Sequence, residues 1–120
     1  MGDDELLRLR ELEIELGADV ILELVDLFLE DGDKQIIALG AALKAADGET
    51  LRRDAHSLKG SSSNLGFKTL SGCAAALERH ARAEGCLGAS PHLDALLREH
   101  EGLRPRLVAL REALDAKTSA

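Results

Sequence analysis

The stretch that decides the fold is residues 49–66, which reads ETLRRDAHSLKGSSSNLG. Apolar or small side chains recur in it every three or four residues, at Leu51, Ala55, Leu58, Ser62 and Leu65. At about 100° per residue these positions fall in one narrow wedge, which is the pattern of a helix with one buried face. The segment therefore predicts a helix from about Glu49 to Leu65, closed by Gly66.

The rest of the chain shows the same helical pattern, and we find no strand alternation in it. Leu and Ala dominate the apolar set, which favours helix over strand. The spacing predicts further helices from about Asp4 to Leu16, Asp19 to Ala45, Lys68 to Glu84, and Ser90 to Ala116. Because short connections join long helices, we expect an all-α fold, an antiparallel up-down four-helix bundle with an additional short N-terminal helix across one end.

Two residues should disturb these helices locally, and a third signal marks a helix start. Gly32, between Asp31 and Asp33, predicts a kink or a short break in the second helix. Pro105 should kink or split the last helix. Ser90 followed by Pro91 is typical of an N-cap with proline at the first helical position.

Composition narrows the classes of function. The 120 residues predict a single domain, 1–120, with a core of about 5–116. The net charge of -7 and the 2% aromatic content argue against nucleic acid as a partner. No apolar run is long enough to span a membrane. The N-terminus lacks a signal-peptide core, and Cys73 and Cys86 form no CxxC pair, so we expect a cytoplasmic monomer with no direct membrane insertion.

His56 is the candidate for chemistry. It lies about 140° from the centre of the apolar wedge, so its imidazole should face solvent. A neutral ring nitrogen can attack phosphorus and form a covalent intermediate. Gly60, one turn later on the same face, would leave room for a partner's active site, and Lys59 could place its ammonium beside a phosphoryl oxygen.

The run His56-x-Leu58-Lys59-Gly60, followed by Gly66, resembles the signature of histidine phosphotransfer (HPt) domains of two-component phosphorelays. The resemblance implies that His56 accepts a phosphoryl group from a receiver-domain aspartate of a response regulator and passes it to another receiver. It also implies that the chain needs no cofactor, since the receiver supplies a divalent metal such as Mg²⁺. A hybrid sensor kinase is a further possible partner.

Three supporting residues are assigned on weaker grounds. If the third and fourth helices form a hairpin, Glu78 lies level with His56 and shares a face with Arg82. In relatives, polar residues at about these positions hydrogen-bond near the active imidazole. Glu78 would orient the ring but repel a phosphoryl group, and the alternative is an exposed Glu78–Arg82 ion pair contributing under about 0.5 kcal/mol. Ser63 is a third supporting candidate.

Other functions remain open from the sequence. The chain could be the phosphoacceptor domain of a chemotaxis-type kinase, although it has no ATP site of its own. It could also be a phosphate-independent helical adaptor, in which His56 is incidental. A metal-binding bundle would need inward Glu and Glu-x-x-His pairs, which the chain lacks. The run Glu99-His100-Glu101 is typical of a solvated helix face.

Overall fold

Five helices make up the part of the chain that the structure, a computed structural model, describes, which is residues 5–119. In chain order they are α1 (Leu7–Leu16), α2 (Ala18–Lys44), α3 (Gly48–Asn64), α4 (Lys68–Glu84) and α5 (Ser90–Thr118). The all-α prediction is confirmed, and no strand occurs within those residues. The helix starts predicted from the sequence are reproduced to within about a residue, except that Asp4 lies outside the described residues.

The predicted break at Gly32 is wrong, because α2 runs without interruption from Ala18 to Lys44. Gly32 is buried against α5. A Cβ at this position would lie 3.6 Å from Nε2 of His100, an ordinary van der Waals distance, so α2 and α5 pack closely at Gly32. Tertiary packing of this kind outweighs the cost of about 1 kcal/mol for a glycine in a helix interior.

His100 is consequently buried, with 7% of its surface exposed, and the prediction of a solvated face at this position is wrong. Burial lowers the pKa of His100, an effect opposed by the charge of Asp33, whose Oδ1 lies 3.7 Å from Nε2. A single sequence does not reveal that the glycine on α2 faces this histidine. The contact follows from the way the two helices pack.

Pro105 does not split α5, which continues through it to Thr118. Pro105 is exposed, so water can bond the carbonyl group that proline leaves without a partner. Ion pairs tie α5 to α2 on both sides of the proline, from Arg104 to Asp33 at 2.8 Å and from Arg111 to Asp26. These pairs also show that α2 and α5 run in opposite directions.

The start of α5 differs from the prediction as well. Ser90 is the first helical residue, Ala89 occupies the N-cap position, and no side chain caps the helix. Ala89 is fully buried, so core packing fixes the entry of the chain into α5. At α3, by contrast, Asp47 is a side-chain cap, since its Oδ1 accepts a hydrogen bond from Thr50 N at 3.1 Å.

A leucine-rich core lies between α2, α3, α4 and α5. The largest fully buried side chains are Phe67, Leu9, Ile21, Leu39, Leu51, Leu58, Leu70, Leu77, Leu96, Leu107, Leu114 and Val25. Phe67, in the connection between α3 and α4, packs edge-on against Phe28 with ring centroids 5.0 Å apart. This aromatic pair joins α2 to the α3–α4 hairpin.

The helix α1 packs on the α3–α4 connection. Gly66 has a positive φ of 84°, and a Cβ there would lie 2.4 Å from the Cβ of Arg8, so only glycine fits at this position. A hydrogen bond from Thr69 Oγ1 to Glu5 (2.7 Å) and an ion pair from Lys117 to Glu13 (2.7 Å) hold the same end of the molecule together. None of the helices within residues 5–119 combines the length and the hydrophobicity that spanning a membrane requires.

Candidate functional site

His56 lies in the middle of α3 with 61% of its side chain exposed, as its place on the helix predicts. Its Nδ1 is 2.8 Å from Oε2 of Glu78 on α4. Its Nε2 makes no hydrogen bond with any described residue. The structure therefore leaves one ring nitrogen held and the other open to a partner.

The hairpin that brings these residues together is antiparallel. Ser71 Oγ on α4 donates to the backbone carbonyl of Lys59 on α3 at 3.1 Å, while His56, earlier on α3, contacts Glu78, later on α4. Leu77 points into the core and is fully buried, which turns its neighbour Glu78 toward α3. The alignment expected for a hairpin about Gly66 is confirmed.

Glu78 is the centre of the site. Only 3% of the residue is exposed, although it lies close to the surface, because exposed side chains cover it. Its Oε1 is 2.6 Å from Nζ of Lys59, and its Oε2 is 3.0 Å from a guanidinium nitrogen of Arg82. The i, i+4 pairing of Glu78 with Arg82 is confirmed, but the alternative of an exposed pair is wrong, since the carboxylate is shielded from solvent.

These contacts hold the pKa of Glu78 down to about 2. The hydrogen bond from Lys59 is the largest cause, burial opposes it, and the hydrogen bond from His56 lowers the pKa further. The carboxylate is therefore ionised near neutral pH and can only accept hydrogen bonds. It follows that Nδ1 of His56 carries the proton of that hydrogen bond, and that in the neutral ring Nε2 carries the free lone pair.

Gly60 lies one turn after His56 and is exposed. A Cβ built at this position would meet no atom within 4 Å, so the space above it is open. The glycine leaves a flat surface beside the imidazole, which is the clearance that the sequence predicts.

Ser63 is not part of this cluster. It is exposed and lines a cavity between α1 and the α3–α4 connection, together with Leu7, Arg8, Glu11, Gly66 and Lys68. Its hydroxyl makes no hydrogen bond with His56 or Glu78.

Sequence reasoning missed the role of Lys59 as a partner of Glu78. The available signal was the position of Lys59 on the flank of α3 that faces α4.

Sequence reasoning also missed a contact between two other histidines. The rings of His80 and His92 lie 4.8 Å apart across the α4–α5 connection, and Nε2 of His80 is 2.5 Å from the carbonyl oxygen of Leu87. Within residues 5–119, no group of three or more His, Cys, Asp or Glu side chains is placed to hold a metal ion.

Comparison with known proteins points to one family. The sequence model of the Hpt domain matches residues 23–117. The crystal structure of histidine-containing phosphotransfer protein B from Pseudomonas aeruginosa PAO1 superposes with a TM-score of 0.82, at 33% identity, over 88% of this chain and 91% of that one. A candidate histidine-containing phosphotransfer protein from rice has a TM-score of 0.79 and 20% identity, over 97% and 82% of the two chains, which shows a shared fold. No curated protein sequence matches the chain.

Proposed function

We propose, on the premise that the chain belongs to the Hpt domain family, that His56 is the residue that carries the phosphoryl group. Histidine phosphotransfer in a phosphorelay is the function of the chain. The observation that supports His56 as its site is the exposed imidazole whose Nδ1 is held by an ionised Glu78 while Nε2 is open.

In the proposed reaction the lone pair of Nε2 attacks the phosphorus of an aspartyl phosphate on the partner. A bond forms between Nε2 and phosphorus, the bond from phosphorus to the aspartate oxygen breaks, and its electron pair stays on the aspartate carboxylate. The proton on Nδ1 does not move. The chain therefore supplies the nucleophile and its orientation, and the remaining charge stabilisation falls largely to the partner.

Lys59 and Arg82 are the cations placed to stabilise the transferred group. Their side chains are 36% and 62% exposed, and both are held near His56 by Glu78. Either can turn from the carboxylate to a phosphoryl oxygen on Nε2. Gly60 leaves the surface open so that a partner can approach the ring, and Ser63, two turns along α3, lies at the edge of the same face.

The proposal extends to partners and setting. Hpt domains act with receiver domains, and we propose that receivers of response regulators, including one in a hybrid sensor kinase, donate to and accept from His56. The Mg²⁺ that the reaction uses is proposed to sit on the receiver. We further propose a monomeric antiparallel up-down bundle with α1 across one end. A cytoplasmic location fits the unpaired thiols of Cys73 and Cys86.

The experiment is transfer from a phosphorylated receiver domain in the presence of Mg²⁺. We expect the wild-type chain to take up acid-labile phosphate and His56→Gln to take up none. His92→Gln is the matched control, because it removes a histidine from α5 and should leave uptake unchanged. Uptake by His56→Gln equal to the wild type would refute the assignment. A receiver that binds both proteins equally and transfers nothing to either would favour a phosphate-independent adaptor.

A further inference from the structure

Two half-buried imidazoles, those of His80 and His92, lie side by side where α4 ends and α5 begins. Their ring centroids are 4.8 Å apart. We propose that these two side chains bind one divalent transition-metal ion of the Zn²⁺ class. The site is separate from His56, because His80 is two residues after Glu78 and positions two apart on a helix do not share a face.

A hydrogen bond decides which nitrogen of His80 is available to a metal. Nε2 of His80 lies 2.5 Å from the carbonyl oxygen of Leu87. A carbonyl oxygen only accepts hydrogen bonds, so Nε2 carries the proton and, in the neutral ring, Nδ1 carries the lone pair. A histidine that binds a metal through one nitrogen usually donates its other N–H in this way, to a backbone carbonyl or a carboxylate.

The α4–α5 connection holds both rings in place. A Cβ at Gly88 would lie 3.4 Å from Cε1 of His80 and 3.5 Å from Nε2, so the backbone packs directly against this ring. Ala89 is fully buried and fixes the start of α5, three residues before His92. Metal binding therefore has little chain to order, which favours affinity.

The spacing of the two rings fits a shared ion. A metal at about 2.0–2.1 Å from an imidazole nitrogen lies about 3.2 Å from the centroid of that ring. Two centroids at this distance from one ion and 4.8 Å from each other subtend an angle of about 100° at the metal. This angle falls between those of octahedral and tetrahedral coordination, so neither helix has to move for the two imidazoles to reach one ion.

The ligand type decides the class of metal. Imidazole suits Zn²⁺, Ni²⁺ and Cu²⁺, whereas Mg²⁺ and Ca²⁺ prefer oxygen ligands. Within residues 5–119, no third His, Cys, Asp or Glu side chain completes the set. Two imidazoles leave the other coordination positions to water, so the ion is exchangeable and links the end of α4 to the start of α5.

The test is isothermal titration calorimetry with Zn²⁺ in a His56→Gln background, because the exposed imidazole of His56 beside Glu78 is a competing metal ligand. We expect one Zn²⁺ per chain and no binding of Mg²⁺. Adding either His80→Gln or His92→Gln should weaken the Zn²⁺ affinity by at least about tenfold. Glu84→Gln is the matched control, since it removes an exposed carboxylate one turn after His80, and its affinity should equal that of the background.

Three calorimetric results would overturn the proposal. They are no binding at millimolar Zn²⁺, an affinity in His80→Gln and His92→Gln equal to that of the background, or an equal loss in Glu84→Gln, which would mean that surface charge holds the ion. If a histidine variant does not fold, ¹⁵N NMR of the background chain decides the question. Zn²⁺ should then shift the Nδ1 resonance of His80 while Nε2 keeps its proton, and an unchanged Nδ1 resonance overturns the proposal.

Discussion

Replacement of Gly60 by alanine adds one methyl group to the exposed face of α3, beside His56, and we expect it to stabilise the fold. A Cβ at this position meets no atom within 4 Å, so the helix gains the full difference in propensity between glycine and alanine, about 1 kcal/mol. For 120 residues the unfolding entropy is about 0.25 kcal/mol/K, which converts this gain to a rise in Tm of about 4 °C.

The assay combines urea unfolding with phosphotransfer from a receiver. Gly40→Ala is the matched control, since Gly40 is also exposed, helical and free of neighbours, and it should gain a similar stability. Gly60→Arg should fold as well as Gly40→Arg, but its transfer rate should fall by at least about tenfold, equivalent to 1.4 kcal/mol, because the side chain occupies the docking space. Wild-type transfer by Gly60→Arg, or a loss of stability in Gly60→Ala but not in Gly40→Ala, would refute the steric reasoning.

Three further substitutions test the packing and the charges. Gly66→Ala should destabilise the fold by about 2 kcal/mol in urea, because φ is positive there and the Cβ would overlap Arg8. Ser62→Ala should raise the free energy of unfolding by about 1 kcal/mol, since the buried hydroxyl has no partner among the described residues. Glu78 has a depressed pKa, so its ionisation stabilises the fold above pH 4.5, and this contribution is lost as pH falls toward about 2. In Lys59→Ala, the free energy of unfolding should fall less between pH 4.5 and about pH 2 than in the wild type, when unfolding is measured against pH. A pH dependence of the unfolding free energy equal to that of the wild type would count against the Lys59–Glu78 contact.

The side of α3 on which His56 lies is predictable from the sequence, because the periodicity of the apolar residues alone fixes it. Leu51 and Leu58 must face the core, so the angle per residue places the imidazole outside, as the structure confirms. The bounds of α4 are predictable for a similar reason. Gly66 and Gly85 both adopt positive φ at the ends of the hairpin helices, and such turns favour glycine.

Contacts between helices are less predictable from one sequence. Gly32 indicates a helix break if only local propensity is considered, and its actual role depends on His100, which lies 68 residues later. Glu78 presents the same problem in the candidate site. Its spacing relative to Arg82 is visible in the sequence, but its shielding depends on Lys59 and His56 from another helix.

The open Nε2 of His56 also determines the order in which partner proteins can bind and react. Since Nδ1 is occupied by Glu78, the ring offers one position for phosphorus, and a protein that docks there excludes every other. If His56 carries the phosphoryl group as proposed, the phosphoryl donor and the phosphoryl acceptor must bind one after the other. Transfer between two receivers should then follow ping-pong kinetics, with parallel double-reciprocal plots, and an excess of unphosphorylated acceptor should inhibit loading by competing with the donor.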